Sequence, residues 1–338
     1  MKILLDRLSP IASVSGFANQ NLKLKKVLVG IMLGLGLTAL KNPVQAQQDP
    51  AYTQYMFNML PINAAYAGSR DVISLTALYR RQWINVPGAP ETVTFSADAP
   101  IRKEKLGIGI NISNDKIGIF NNTNLMAMLA YRIRFSRSTL SFGVQAGVTQ
   151  FSANYSSVRT DEFGAANDGA FAQDLRKWLP NIGAGVYYSS DKFYVGVSLP
   201  KLLSNQLNEY VPAQSIGDYF KSSQFRHVFF IGGYAFKLNQ DLTLKPSFIY
   251  KYVLGAPMQL DLNCNLWIYD RFGIGASYRS LTDVSILLEL QATNQIRIGY
   301  AYDWSHTQLR NYTSGSHEIM LRYEFGYNKS KVISPRYF

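Results

Sequence analysis

The sequence predicts an all-β protein: an antiparallel transmembrane β-barrel of the outer-membrane type, with about 14 strands, behind an N-terminal signal peptide. Apolar residues make up 47% of the 338 residues and charged residues only 17%. The longest uninterrupted apolar run, 27–40, is shorter than the roughly 20 residues that a transmembrane helix needs. From residue 71 onward apolar and polar residues alternate with the period of a β-strand, and the breaks between these segments alternate between short and long.

The first element, residues 1–46, has the pattern of a secretory signal peptide. Three lysines within 23–26 precede the apolar run 27–40, which is followed by the small residue Ala46, so we expect cleavage before Gln47. The leader is unusually long ahead of these lysines. Either its charged region is extended or the true start of the protein lies further downstream.

The barrel is predicted over residues 71–325, where fourteen segments of about ten residues alternate strictly. In the first segment, residues 71–83, Ile73 and Leu75 share one face, and Ser74 and Thr76 share the other. The same pattern recurs up to the last segment. Because side chains of a strand point alternately to its two faces, each segment presents one apolar and one polar face.

The breaks between the segments indicate how the barrel lies in its membrane. Those after even-numbered segments are short, whereas the long breaks 152–178, 201–225 and 305–316 all follow odd-numbered segments. Bacterial barrels have short periplasmic turns and longer outer loops. With an even number of strands, both termini of this multi-pass protein are then expected in the periplasm, and the protein in the cell outer membrane.

A soluble lipocalin-like barrel or β-sandwich is the alternative, but such a protein buries its apolar face and leaves the polar face in water. Here the apolar face carries bare Leu, Ile, Phe and Tyr, and the other face is rich in Gly, Ser, Asn and Thr. Aromatic residues such as Trp83, Tyr188 and Trp304 lie near segment ends, as in interfacial girdles. We therefore favour a membrane barrel in contact with outer-membrane lipid.

Charged residues on the polar face are expected to line the lumen. We expect them to fill it as paired, hydrated side chains rather than to form a permeation path. The cations are Arg80, Arg132, Arg134, Lys245, Lys251 and Arg297, and the anions are Asp98, Asp261, Glu289, Asp303 and Glu324.

No feature of the sequence predicts catalysis. The three histidines lack metal-ligand spacing, the mature chain has no nucleotide-binding or hydrolase motif, and one cysteine excludes a disulfide framework. The net charge is +12, but the basic residues form no dense tract in the sequence, so nucleic-acid binding is unsupported. We expect a protein that is not an enzyme and has no catalytic residues, cofactor or metal.

Two further elements flank the barrel. Residues 47–70 are aromatic, nearly uncharged and neither signal nor strand. Such a segment, left in the periplasm ahead of the first strand, can fold into the barrel mouth as a plug or lie along a partner. Residues 326–338 are expected to form a periplasmic tail that either frays or docks onto a periplasmic partner.

Four stretches of the sequence carry a family resemblance. Residues 48–68 read QDPAYTQYMFNMLPINAAYAG, 79–83 read YRRQW, 87–92 read PGAPET, and 334–338 read SPRYF. In these stretches the chain resembles the PorP/SprF outer-membrane proteins of the type IX secretion system and gliding apparatus of Bacteroidota. It departs at Ala64, where the family usually has proline, and this change could loosen the local turn.

The resemblance implies a noncatalytic fourteen-stranded barrel, related in architecture to fatty-acid-channel-like proteins. Some members of the family are core parts of the secretion machine attached to periplasmic components. Others accompany one large secreted adhesin-like cargo protein, which bears a type B C-terminal domain, and hold it at the cell surface. The alternative, outside this resemblance, is a passive channel for a small or hydrophobic solute.

The long outer loops 152–178 and 201–225 are the candidates for cargo contact. Loop 152–178 combines carboxylates with aromatic residues, which suits a protein interface. Together with the family-signature residues, the partner-binding candidates are Asp49, Pro50, Tyr52, Gln54, Tyr55, Phe57, Asn58, Asn63, Tyr66, Gly68, Arg80, Gln82, Trp83, Gly88, Pro90, Phe163, Trp178, Pro335, Arg336, Tyr337 and Phe338.

Overall fold

The computed structural model describes residues 52–101, 105–157, 174–205, 226–253, 257–280 and 282–325. The predicted signal peptide and C-terminal tail lie outside these residues, as do Asp49, Pro50 and Phe163. No helix in the described part of the chain is long and apolar enough to cross a membrane.

The described residues form fifteen β-strands, which run in chain order. They are β1 (Ile73–Arg81), β2 (Glu91–Ile101), β3 (Leu106–Ile117), β4 (Phe120–Arg134), β5 (Ser138–Ala153), β6 (Leu175–Ser190), β7 (Phe193–Leu199), β8 (His227–Tyr234), β9 (Phe236–Lys237), β10 (Leu242–Val253), β11 (Gln259–Ile268), β12 (Phe272–Arg279), β13 (Asp283–Gln291), β14 (Ile296–Ser305) and β15 (Ser316–Phe325).

β8 and β9 act as one barrel strand interrupted at Ala235. Both pair with β10 in a single register, with Gly233 opposite Ser247 and Phe236 opposite Leu244. The sheet therefore has fourteen barrel strands, each antiparallel to its neighbours. It is closed, because β1 pairs with both β2 and β15 and β10 pairs with β11. The predicted fold is confirmed.

The two faces of the strands follow the predicted alternation. In β1, Ile73 and Tyr79 are exposed on the outside, whereas Ser74, Thr76 and Arg80 are buried. An apolar outer face suits contact with lipid. In a closed ring the backbone N–H and C=O groups of every strand find hydrogen-bond partners in neighbouring strands, which lipid could not provide. Polar side chains and glycines face inward, so the lumen is where a functional site can be built.

The connections divide the barrel into two ends. At the short-turn end lie Ile73 and Phe325, which pair with each other. At the opposite, long-loop end lie connections 82–90, 154–174, 200–226 and 306–315. The predicted grouping of the long breaks at one end is therefore confirmed.

Two predicted boundaries were wrong. The first strand does not span 71–83, because Asp71 and Trp83 have φ angles of 62° and 47°, which extended backbone does not adopt. The loop predicted at 152–178 is shorter, because β5 continues to Ala153 and β6 begins at Leu175. Trp178 is consequently an outward-facing strand residue. The boundary was missed because most of the outward side chains there, Gln150, Ser152 and Arg176, are polar, and the alternation loses its contrast.

Candidate functional site

Residues 52–70, the inner segment, lie inside the barrel and are almost entirely buried. At its start the Tyr52 carbonyl accepts a hydrogen bond (3.2 Å) from Arg279, the last residue of β12 at the long-loop end. At its end Arg70 pairs with Glu324, next to the short-turn end of β15. The inner segment therefore runs along the whole lumen, as a plug would. The predicted periplasmic N-terminus concerns residues ahead of Tyr52, which the structure does not describe.

The inner segment folds as a series of tight turns. The N–H of Phe57 donates to the Gln54 carbonyl (3.0 Å), and that of Ile62 donates to the Met59 carbonyl (3.0 Å). A 3-10 turn, Ala64–Tyr66, follows, and the Asn63 side chain accepts from the N–H of Ala65 (2.9 Å). The turn thus forms with Ala64 at the position where the family usually has proline. Because these bonds satisfy its backbone locally, the segment can be buried without being a strand.

A cluster of charges near the long-loop end, the upper clamp, holds the start of the inner segment. Arg80 lies 2.6 Å from Asp303 and 3.1 Å from Glu318, and all three side chains are buried. The Glu318 carboxylate also accepts from the backbone N–H groups of Thr53 (2.9 Å) and Gln54 (2.8 Å). Charge-assisted hydrogen bonds of this kind are about twice as strong as neutral ones.

On the opposite wall the segment packs against backbone rather than charge. A Cβ atom on Gly107 of β3 would lie 1.9 Å from the carbonyl oxygen of Ala67. A Cβ atom on Gly143 of β5 would lie 2.1 Å from the backbone nitrogen of Ala65. Only glycine therefore permits this approach, which accounts for glycines on the inward face of these strands.

Near the short-turn end a second group of charges, the lower clamp, holds the end of the segment. The N–H of Gly68 donates to Asp98 (2.8 Å), and Arg70 pairs with Glu324. Asp71, which follows the segment, lies 2.7 Å from Arg132 and also pairs with Arg134. The segment is thus fixed at both ends before β1 begins.

The structure separates the predicted candidates into two described groups. One group, in or against the inner segment, comprises Tyr52, Gln54, Tyr55, Phe57, Asn58, Asn63, Tyr66, Gly68 and Arg80. The other group, Gln82, Trp83, Gly88 and Pro90, lies in connection 82–90 at the long-loop end. Trp178 belongs to neither group, because it lies on the outer face of β6 with 63% of its surface exposed.

Connection 82–90 ties neighbouring parts of the long-loop end together. The N–H of Trp83 donates to the Ser316 hydroxyl (3.2 Å), and that of Ile84 donates to the Gly315 carbonyl (2.9 Å). Gly88 has a φ of 71°, and its carbonyl accepts from Gly118 (2.8 Å) in the β3–β4 turn. These bonds give the signature residues of this connection a structural role at the rim.

A family model described as "Type IX secretion system membrane protein PorP/SprF" matches residues 44–323. The chain belongs to the PorP/SprF family. The match spans the inner segment and the barrel up to β15, so it includes both groups of signature residues. No curated protein matches this PorP/SprF chain at a significant level.

Solved structures similar to this PorP/SprF chain are outer-membrane barrels. The monoaromatic hydrocarbon channel CymD is 11% identical with a TM-score of 0.46, over 82% of this chain and 94% of its own. The outer membrane protein Omp33 of Acinetobacter baumannii is 6% identical with a TM-score of 0.43, over 75% of this chain and 98% of its own. With identities this low and TM-scores below 0.5, nothing about function follows from these likenesses.

The lumen charges of this PorP/SprF protein mostly occupy the predicted face. All eleven predicted charges are buried except Arg134, which is partly exposed at the short-turn end. Three partners were not predicted: Glu318, Arg322 and Arg279, which lies 2.9 Å from Asp261. Extending the alternation of β12 by one residue would have placed Arg279 inward. Lys245 and Arg297 both lie over the Trp267 ring, 4.8 and 4.7 Å from its centroid.

A cavity of about 120 Å³ remains beside the inner segment. Tyr52 and Tyr55 of the segment line it, together with Lys251 and Asp261 of the barrel. A space of this size is close to that of one aromatic ring, whereas drug-sized ligand sites measure about 300–1,000 Å³.

Proposed function

We propose that this PorP/SprF protein is a noncatalytic component of type IX secretion in the outer membrane that binds or anchors a secreted surface protein. The observation that carries this proposal is the course of the inner segment, which occupies the lumen from one end to the other. A barrel filled in this way is suited to holding another protein and poorly suited to passing solutes. The family match supplies the secretion context.

The lengths of the connections support one orientation of the barrel in the membrane. In bacterial outer-membrane barrels the longer loops face outward. In this orientation the long-loop end of this protein faces outside the cell, and connections 154–174 and 200–226 are the candidates for cargo contact. The short-turn end faces the periplasm, where the chain after Phe325 can meet periplasmic components of the secretion machine.

Connection 154–174 is the first candidate for cargo contact because a folded base supports it. Below it, Phe151 stacks on Phe120 with ring centroids 5.9 Å apart, and Leu179 belongs to the same buried cluster. At the base, the N–H of Ser156 donates to Asp174 (3.0 Å). This bond lowers the pKa of Asp174, which is therefore ionised at neutral pH. A rigid base can present a binding loop at a defined place.

The experiment is to delete residues 158–173, which leaves β5 and β6 intact. We expect the surface protein to be released into the medium. The barrel should keep its normal abundance and the heat-dependent shift in electrophoretic mobility that marks a folded barrel. The matched control shortens connection 306–315 at the same end of the barrel. Unchanged surface retention after the first deletion would contradict the loop assignment. Unchanged retention in a strain lacking the whole protein would contradict the proposed function itself.

A further inference from the structure

The cavity beside the inner segment lies in the half of the lumen that is nearer the long-loop end. Its wall residues come from β3, β4 and β5 on one side and from β8, β10 and β11 on the other. Pro200 and Lys201, the first residues of connection 200–226, line it as well. Pro61 of the inner segment and Phe229 of β8 lie inside the barrel, yet both keep partial exposure, and both border this space.

Aromatic and aliphatic side chains give the cavity its broad surfaces. They are Tyr52, Tyr55 and Ile62 of the inner segment and Met126, Phe229 and Ile249 of the barrel. Tyr52 is fixed in place, because its hydroxyl shares a hydrogen bond with Thr94 (2.8 Å) and its carbonyl accepts from Arg279. An apolar cavity of about 150 Å³ takes up benzene in a well-studied protein, so this space of about 120 Å³ is of the right order for a single ring.

Two buried acceptor atoms belong to residues that line the same cavity. One oxygen of Asp261 accepts from Arg279 (2.9 Å), and the amide nitrogen of Gln145 donates to the Pro200 carbonyl (2.8 Å). The remaining oxygens, Oδ1 of Asp261 and Oε1 of Gln145, accept no hydrogen bond from any residue that the structure describes. Both side chains are almost fully buried. Since buried polar atoms normally have hydrogen-bond partners, these two oxygens favour an occupant that carries a donor.

The charges around the cavity narrow the choice of occupant. An anion would meet the Asp261 carboxylate, and a cation would meet Lys201 and Lys251, which also line the cavity. A bare hydrocarbon would leave both acceptor oxygens without a donor. A neutral ring with an O–H or N–H group satisfies all of these conditions.

We propose that this cavity binds one neutral aromatic ring that carries a hydrogen-bond donor, the chemistry shared by a phenol and by the side chain of tyrosine. The ring packs against the aromatic side chains that line the cavity, and its donor reaches Asp261 or Gln145. The inference goes beyond the proposed function, because binding of the ring requires neither the surface protein nor the secretion machine.

The first test adds phenol to the purified full-length protein in lipid nanodiscs. The methyl NMR signal of Met126, which lines the cavity, should shift on addition, and that of Met320, on the opposite wall, should not. Fluorobenzene has nearly the same shape and no donor, so we expect it to bind about fivefold more weakly than phenol. No shift at Met126, or equal binding of the two probes, would overturn the inference.

The second test fills the cavity from the barrel wall. Ser113 is buried on the inward face of β3 and lines the cavity, so Ser113→Phe places a ring in the space itself. We expect this change to weaken phenol binding about tenfold or more. Ile112→Phe is the matched control, because Ile112 faces outward on the same strand and should leave binding unchanged. Wild-type affinity in Ser113→Phe, or equal loss in both variants, would overturn the assignment of the site.

Retention of the surface protein by cells that carry Ser113→Phe identifies the source of the ring. Loss of retention at normal barrel abundance, with Ile112→Phe unaffected, would show that the ring is a side chain of the surface protein. Normal retention would assign the site to a free small molecule. Failure of phenol to bind would overturn this inference alone, because the strain that lacks the whole protein tests the proposed function separately.

Discussion

The inner segment meets two unlike walls of the barrel. Along β1, β14 and β15 it is held by buried charges, with Arg80 between Asp303 and Glu318. Along β3 and β5 it lies directly against backbone, which the glycines at 107 and 143 make room for. The first wall fixes the segment through a few directed bonds, and the second through shape.

The difference shows how a segment without regular secondary structure can fill a lumen. Directed bonds position its two ends, where backbone N–H groups at residues 53, 54 and 68 need acceptors. Shape complementarity then holds its middle, where the 3-10 turn satisfies its own backbone. Changes to the two walls should therefore fail in different ways.

The largest effect is expected from Arg80→Met on the charged wall. It leaves Asp303 and Glu318 as buried carboxylates without their cation, and breaking a buried pair in this way costs about 3–5 kcal/mol. Urea unfolding of the barrel in lipid bilayers measures the loss. Arg81→Met is the matched control, because Arg81 faces outward and is exposed. An equal loss of stability in the two variants would mean that the upper clamp contributes no more to stability than an exposed charge does.

A somewhat smaller effect is expected from Gly143→Val on the shape-complementary wall. The new Cβ overlaps the backbone of Ala65, and overpacking typically costs about 1–3 kcal/mol. We expect the inner segment to leave the wall while the barrel stays closed, so hydrogen exchange should rise at residues 57–67 and not in the strands. Ala146→Val, on the outer face of β5, should leave exchange unchanged. Protection that survives in Gly143→Val would contradict the close approach.

Asn63→Ala tests the place where the two kinds of contact meet. Its side chain accepts from Ala65 and donates to the Val186 carbonyl (3.0 Å), and it is fully buried. Loss of these bonds should cost about 1–2 kcal/mol. Hydrogen exchange should accelerate locally around residues 64–67, and a global shift with no local change would argue against the cap.

The smallest effect is expected from Asp71→Asn at the lower rim. Asparagine tolerates the positive φ of this position, so the change removes only the charge. Arg134, one of its partners, is 36% exposed, and exposed pairs are worth about 0–1 kcal/mol. The other partner, Arg132, is buried, and the amide oxygen of asparagine can still accept its hydrogen bond. A difference in urea midpoint that is small and vanishes in about 1 M salt is the expected result. A large, salt-independent loss would mean that buried Arg132 needs the charge of Asp71 and not only its hydrogen bond.

The sequence predicted the barrel because alternation is a local property that every strand repeats. It also placed most lumen charges correctly, from Arg80 to Glu324. It could not choose between a plug and a partner-bound segment, because residues 52–70 have no period and their contacts come from strands far away in the chain. Glu318 was missed although it lies on the inward face of β15, since its partners are the backbone groups of Thr53 and Gln54.

The predicted loop 152–178 shows a second limit of prediction from the sequence. Residues 152–178 were predicted as a loop because Gln150, Ser152 and Arg176 face outward there, and these polar side chains remove the contrast between the two faces. Trp178 was predicted to lie in this loop, whereas it is an outward-facing residue of β6.

The central claim is that the inner segment blocks the lumen, and single-channel conductance in planar bilayers tests it most directly. The purified full-length barrel should show no steady pore. The same barrel lacking residues 52–70, or carrying Gly143→Val, should show a steady pore or frequent openings. A large, steady pore in the full-length protein, unchanged by removing the segment, would contradict the account and favour a passive channel.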